Sequence, residues 1–599
     1  MRPIPTILLC ALALASPVRA ATAAPTAAGL SGEIRALLST TAAQWAGQMT
    51  PNGVFENPFP ADLALGHGSF APPMLTYAVH RAGHVAAAER AWPRSVDPIR
   101  ASAFDMVGAA YALHDLRLTA ARRRQVTGYV GRYGIPPNGH RCLMRPRCYS
   151  NLKLVDALAV LAITGAGVRS PDPAARLADP RAARRAAALI VNRRVPHVID
   201  HQLRARIGRR KIRGSVLSDP PEDPLAYHAL SAFMLSEAVA QLGPRAGRAA
   251  RKASREATEA LSALVAPDGD ASYLGRGQDQ VWVPALAAAA LVNGAAARPA
   301  RAARYLAGAR RAVRRLARRH ASPRGLAVVG GPRTSMDGID AYAHTVAYNG
   351  LALFGLTQAL DALATIPAAR IGRLPADRRL ALSDPDATGL AVVSNGRKWL
   401  AVHRTATNTL DLRHDIGALA LKRRTRRGWV DMLAPRPMTY FHAGSGGPAL
   451  IHRGTPITPT GFEIRARGRT ISVRAGYRAH GRWVRRVEMR WRLTRRGARM
   501  ELSGAKRGDR FRVLAFTPAS TGYSARRKLV AARARWGFDR PIRTARLRGY
   551  HSAPVEQLDA LEARLTAPKS GRFSIGIGIE VGSKTSGASG TPAFRSPGR

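Results

Sequence analysis

The sequence predicts two unlike halves in one chain: an N-terminal (α/α) toroid of helical hairpins followed by an antiparallel β-sandwich. From about residue 29 to 366, apolar residues recur every three or four positions, the period of a helix with a buried face. From about 387 to 581 the period drops to two, the alternation of strands with one face in a core. Between them, Pro367, Pro375 and Pro385 punctuate residues 367–386, which read as a linker. At 599 residues the chain is too long for one ordinary core, so two domains are expected.

Residues 1–20 read as a secretory signal. Arg2 supplies the positive start, residues 7–15 the apolar run, and Val18-Arg19-Ala20 a small-residue cleavage site. The run is too short to span a bilayer, and no later stretch reads as a transmembrane segment. A secreted or extracytoplasmic location and a monomeric state are expected. Cys10 lies inside the signal. Cys142 and Cys148 remain, a close pair expected to form a disulfide in an exported chain. With only His140 nearby they do not make a zinc set, and no metal or other cofactor is expected.

In the helical half the clearest periodic stretches are 101–113, 152–164, 226–242, 251–265, 283–293, 302–320 and 341–364. Distinctive turns separate them: Asn52-Gly53, Pro136-Pro137-Asn138-Gly139, Asp219-Pro220-Pro221, Asp268-Gly269-Asp270 and Asp337-Gly338. Short and long loops alternate, as in stacked αα-hairpins. No strict repeat marks an open array, so a ring of helix pairs fits better. In the second half, strand-like runs recur at 390–394, 399–403, 410–413, 418–422, 429–433, 462–467, 470–475, 485–492, 499–502, 510–516 and 573–581. Residues 582–599 are rich in Gly, Ser and Pro and read as a disordered tail.

The net charge is +55, from 93 basic and 38 acidic residues. Removing residues 1–20 takes away Arg2 and Arg19 and no acid. Such a charge suits a polyanionic partner. Only nine of the basic residues are Lys, a bias that GC-rich codons also produce, with many Arg then simply solvating Ala-rich helices. No helix-turn-helix, zinc-finger or RNA-binding strand signature is present, which argues against a nucleic-acid partner.

Four polar clusters stand out from the Ala/Arg background, each where a turn leads into a helix. They are Tyr149-Ser150-Asn151; Tyr227-His228; Tyr273 through Arg276, Gln278 and Gln280 to Trp282; and the segment 337–350 with Asp340, His344, Tyr348 and Asn349. A toroid presents the same end of its inner helices at one mouth, so the four clusters are expected to converge there. On a helix His344 and Tyr348 would be i, i+4 neighbours, placed to share proton transfer on one substrate.

The run DGIDAYAHTVAYNGLALFGL, residues 337–356, resembles the catalytic His/Tyr segment of the chondroitin and hyaluronate lyases through Asp337-Gly338, His344, Tyr348 and Gly350. The second Tyr of that family is replaced here by Leu351–Phe354, and Asn151 is the candidate counterpart of its Asn. Tyr227-His228 is similar to a segment of the helical alginate lyases, and the two-domain plan is similar to the heparinase II/III-like proteins. The resemblance implies β-elimination on a uronate polysaccharide. The carboxylate is first neutralised, then a base takes the neighbouring proton and an acid protonates the leaving oxygen. The candidate catalytic residues are His344, Tyr348, His228, Tyr227 and Arg276. The candidate substrate-binding residues are Asn151, Tyr273, Gln278, Gln280, Trp282 and Asn349. Two rivals stay open: an inverting glycoside hydrolase, which needs a facing carboxyl pair, and a non-catalytic protein that binds acidic glycan.

Overall fold

The computed structural model describes residues 25–56, 71–96, 102–133, 150–169, 179–198, 202–217, 224–273, 277, 279–323, 325–328, 345–384, 388–404, 417–434, 437–438, 447–552 and 557–579. The expected signal and tail, the Cys142–Cys148 pair and the strand at 410–413 lie outside them.

Six helices are apolar on nearly every side, and such helices are stable only when surrounded. They are α2 (Pro72–Arg81), α4 (Ala103–Asp115), α6 (Ser150–Gly165), α8 (Pro224–Leu242), α10 (Trp282–Ala297) and α12 (Thr345–Ala364). Each packs on the next, and α12 packs back on α2, so they close an inner ring. Six further helices form the outer layer. They are α1 (Ala27–Gly47), α3 (Val85–Ser95), α5 (Ala120–Tyr133), α7 (Pro180–Leu189), α9 (Arg248–Leu264) and α11 (Pro299–Arg319). Each carries one apolar stripe, opposed by arginines in all but α1, which has only Arg35. In α11 the stripe is Ala302, Tyr305, Leu306, Ala309, Ala312, Val313 and Leu316.

Small residues let the inner helices approach closely. A Cβ on Gly108 of α4 would lie 2.4 Å from the Met74 nitrogen of α2, and one on Gly350 of α12 would lie 2.8 Å from the Ala71 oxygen. Asp105 stitches α4 to α2: it closes a capping box with Ser102 and accepts from the Ala71 N–H at 2.7 Å.

The β half is layered on this ring. The first layer is an antiparallel seven-stranded sheet made of β1 (Gln202–Ile207), β2 (Arg210–Ser215), β3 (Arg379–Asp384), β4 (Leu390–Asn395), β5 (Lys398–His403), β6 (Gly417–Thr425) and β7 (Gly428–Asp431), in the order β2-β1-β3-β4-β5-β6-β7. Leu382, Leu390, Val392 and Trp399 join the core shared with the helices, while Ala391, Val393, Leu400 and Val402 face the next sheet. Burial on both faces explains the unbroken apolar run in β4. The next layer is an eight-stranded sheet. One side of it is β8 (Pro459–Arg467), β9 (Thr470–Ala479), β10 (Arg482–Leu493) and β11 (Gly497–Ser503), and the strand Phe573–Ile579 follows β11. A six-stranded sheet containing Arg510–Pro518 and Gln557–Thr566 shares its core.

The predicted fold class stands: a helical ring, then antiparallel sheets. Two local readings differ. The hairpin β1–β2 sits inside the stretch read as helical, and it extends the sheet of the other half. Within the stretch read as a linker, residues 367–384 are docked rather than free. They contribute β3 to the middle of the sheet, and Leu374, Pro375 and Ala376 are buried.

Candidate active site at the mouth of the helical ring

An outer helix returns the chain between successive inner helices, so the inner helices run the same way and their N-termini share one mouth. Three aromatic side chains from their first turns meet there. The Tyr227 ring of α8 stands 5.8 Å from the Trp282 ring of α10, edge to face, and Trp282 stands 6.2 Å from the Tyr348 ring of α12. Tyr227 is half-buried, whereas Trp282 and Tyr348 are buried. The Trp282 indole N–H donates to Gln280 Oε1 at 2.6 Å, which fixes that amide. Gln280 Nε2 is buried with no acceptor among the described residues. Gly277 makes room: its φ is 82°, and a Cβ there would lie 3.0 Å from the Ala226 Cβ and 3.2 Å from the Trp282 ring. Helix N-termini gathered at one mouth present partial positive charge, which suits a carboxylate ligand.

Several sequence candidates occupy other roles. His228 is fully buried: its Nδ1 accepts from the Leu217 N–H at 3.0 Å and its Nε2 donates to the Ala257 carbonyl at 3.1 Å. Burial lowers its pKa to about 4. With both nitrogens engaged, it ties the chain just after β2, and α9, to α8 and is not a free base. Asn349 is fully buried and satisfied, accepting from the Trp45 indole at 3.2 Å and donating to the Leu326 and Thr345 carbonyls at 3.0 Å each. It locks α12 to α1 rather than facing a ligand. Tyr273 donates to the Leu264 carbonyl at 2.9 Å and packs edge-on against Trp399 at 4.9 Å, so it joins helices to sheet. Burial pushes its phenol well above the usual value. Asn151 is buried in the first turn of α6. His344, Arg276 and Gln278 lie outside the described residues, as does any i, i+4 contact between His344 and Tyr348.

The described chain on either side of residues 329–344 is held in place. On the near side, the Val281 N–H donates to the Val328 carbonyl at 2.7 Å, and the His320 backbone and ring bond to Ala327. On the far side, the Thr345 carbonyl in the first turn of α12 accepts from the Asn349 amide at 3.0 Å.

Two charged clusters have no counterpart among the sequence candidates. The first joins ring and sheet. Arg315 of α11 meets Asp268 at 2.7 Å, Asp270 at 3.2 Å and also Asp279. Lys422 of β6 meets Asp268 at 2.8 Å and Asp431 at 2.5 Å. The Asp268-Gly269-Asp270 turn was visible as a turn, but its partners lie far away in sequence. The second cluster lies in the C-terminal halves of the inner helices. Glu237 accepts from Tyr111 at 2.8 Å and Asn293 at 2.6 Å, while Tyr77 donates to Asp115 at 2.6 Å and accepts from Arg81 at 2.9 Å. Glu237 is buried and engaged on both oxygens, so it does not offer the facing carboxyl pair of an inverting hydrolase.

No family model matches the chain, and no curated protein is similar to it in sequence. Solved structures are similar in outline. Cellobiose 2-epimerase from Spirochaeta thermophila is 16% identical with a TM-score of 0.36, covering 55% of this chain and 98% of that one. Heparan sulfate lyase HepC from Pedobacter heparinus is 9% identical with a TM-score of 0.30, covering 92% and 89%. A chondroitin lyase, the baculovirus envelope protein ODV-E66, is 8% identical with a TM-score of 0.27, covering 93% and 84%. Likeness at this level carries no argument about activity.

Proposed function

We propose that this chain is an exported polysaccharide lyase-like enzyme. It cleaves an acidic, uronate-containing polysaccharide by β-elimination at the N-terminal mouth of the ring. The observation that supports this best is the meeting of Tyr227, Trp282 and Tyr348 beside Gln280 Nε2, which has no acceptor among the described residues. An ionised carboxylate resists further negative charge on the neighbouring carbon, so donors must neutralise it first. Gln280 Nε2 is such a donor, and Arg276 and Gln278 stand in the same stretch of sequence. Tyr227, the half-buried ring of the three, offers a face to a sugar, with Trp282 packed behind it. Tyr348 or His344 takes the proton and the other returns one to the leaving oxygen. A phenol with a reference pKa of about 10 serves as base only with cations nearby, the role assigned to Arg276.

The test is incubation with polygalacturonate, alginate, hyaluronate, chondroitin sulfate and heparan sulfate, following the ultraviolet absorbance of an unsaturated uronate. A lyase produces that absorbance. New reducing ends without it would replace the reading with a hydrolase, and neither signal would replace it with a binding protein.

A further inference from the structure

The outward face of the eight-stranded sheet is covered with arginine. In β8 to β11 the inward positions, among them Ile464, Val473, Met489 and Met500, fill the core. The alternate positions point out, and register aligns them in rows. One row runs Arg467, Thr470, Arg492, Arg499; the next runs Arg465, Ser472, Arg490, Glu501. Strand geometry spaces such groups by about 4.8 Å across strands and about 7 Å along them. A groove of about 1250 Å³ lies over this face. A second groove of about 990 Å³ shares Glu463, Arg465 and Arg467 with it and continues over Arg204, Arg206, Lys211 and Arg213 of the β1–β2 hairpin.

This arrangement is unfavourable for the protein alone. Arg492 lies directly opposite Arg499, Arg204 opposite Arg213, and Arg206 opposite Lys211. Like charges in directly opposed positions destabilise a sheet. Glu463, Glu488 and Glu501 pair with neighbouring arginines. Arg467, Arg492, Arg204, Arg206 and Arg213 have no carboxylate partner among the described residues. Codon bias accounts for many arginines, but not for their alignment in opposed pairs along one continuous groove.

We propose that this arginine face, continued by the β1–β2 hairpin, is a second binding track for acidic polysaccharide, distinct from the mouth of the ring. The choice of polysaccharide rests on the reading of the function above. Guanidinium forks bind carboxylate and sulfate in two-point fashion, and Thr470 and Ser472 offer hydroxyls between them. The sheet groove has no aromatic side chain in its lining and the second groove has one, Phe462, too few for successive nucleic-acid bases to stack on. Leu493 is the one large apolar residue in the lining of the sheet groove, too little to anchor a membrane surface.

The test compares the full chain with the triple variant Arg467→Ser/Arg492→Ser/Arg499→Ser. The control, Arg35→Ser/Arg124→Ser/Arg181→Ser, removes the same charge from exposed helical positions. Binding of polygalacturonate and of dextran sulfate is measured by titration at several salt concentrations. The face variant should bind at least about tenfold more weakly, the control within about twofold of wild type. The face variant should melt close to wild type without polymer, since the Arg492–Arg499 cation opposition is gone while Arg499 gives up its contacts with Glu501 and Ser574. Tyr348→Phe, which tests the lyase reading, should keep wild-type affinity. Equal affinity of the face variant and wild type overturns the track whatever the activity. So does equal weakening by the control, or tighter binding of a thymidine homopolymer than of either polysaccharide. Loss of binding in the face variant, with no unsaturated uronate from wild type, would keep the track and remove the lyase reading.

Discussion

Replacing Lys422 with Met tests what holds the helical ring to the sheet. The Lys422 side chain is 2% exposed, and its ammonium lies 2.8 Å from Asp268 and 3.7 Å from Asp270. At an effective dielectric of about 20, the gross attraction to Asp268 alone is about 6 kcal/mol. Desolvation of the ammonium takes back several kcal/mol, and breaking such a buried pair costs about 3–5 kcal/mol because a carboxylate is left uncompensated. Asp431 is 48% exposed, so that contact adds little. For a cooperative unit of 150–250 residues, the loss lowers the melting temperature by roughly 6–20 °C. The assay is thermal melting at pH 7 of wild type, Lys422→Met, Asp268→Asn and the double variant. The double variant should recover part of the loss, with a coupling of about 1–3 kcal/mol. A Lys422→Met protein melting with wild type, or a coupling of zero, would refute an electrostatic junction.

Acid should destabilise the protein in two steps. Burial depresses His228 and His320 to about 4, so the stability tied to their neutral forms is present above their usual 6.5 and lost as pH falls from 6.5 to 4. For His228 that is about 3 kcal/mol, and His228→Gln should remove that share of the step in a melting series, leaving the share of His320. Below it, burial raises Asp279 but Arg315 and Arg319 outweigh burial and hold it near about 2, so its contribution is lost between about pH 4 and 2. Asp279→Asn should flatten that lower step. At the ring interior, Gly108→Ala drives a Cβ to 2.4 Å from the Met74 nitrogen, against backbone that cannot yield. It should cost about 1–3 kcal/mol in denaturant unfolding, while Gly128→Ala, with open space around it, should not.

The ring was legible because its helices carry the period directly: the stretches at 283–293 and 302–320 appear as α10 and α11. The alternating strands at 470–475 and 485–492 appear in the same way as β9 and β10. The β1–β2 hairpin was not legible, since one six-residue alternation inside a helical half looks like a loop until its edge partner, β3, is known. At the mouth, the convergence of Tyr227, Trp282 and Tyr348 followed from their places at helix starts. What those side chains do there did not follow. His228 and Asn349 share the residue types of a site, yet bond entirely to backbone and to Trp45. The Asp268–Lys422 contact spans 154 residues, a separation no local pattern reports.

The most direct measurement is the initial rate of unsaturated-uronate formation on the best polymer of the panel, for wild type, Tyr348→Phe and Gln280→Ala. Wild type should show a measurable rate, Tyr348→Phe a loss of about 10²–10⁴-fold, and Gln280→Ala a large loss that accompanies a fall of about 1–3 kcal/mol in stability, because its truncation strands the buried Trp282 N–H. No absorbance from wild type on any polymer, or a full rate in Tyr348→Phe, would contradict the lyase reading.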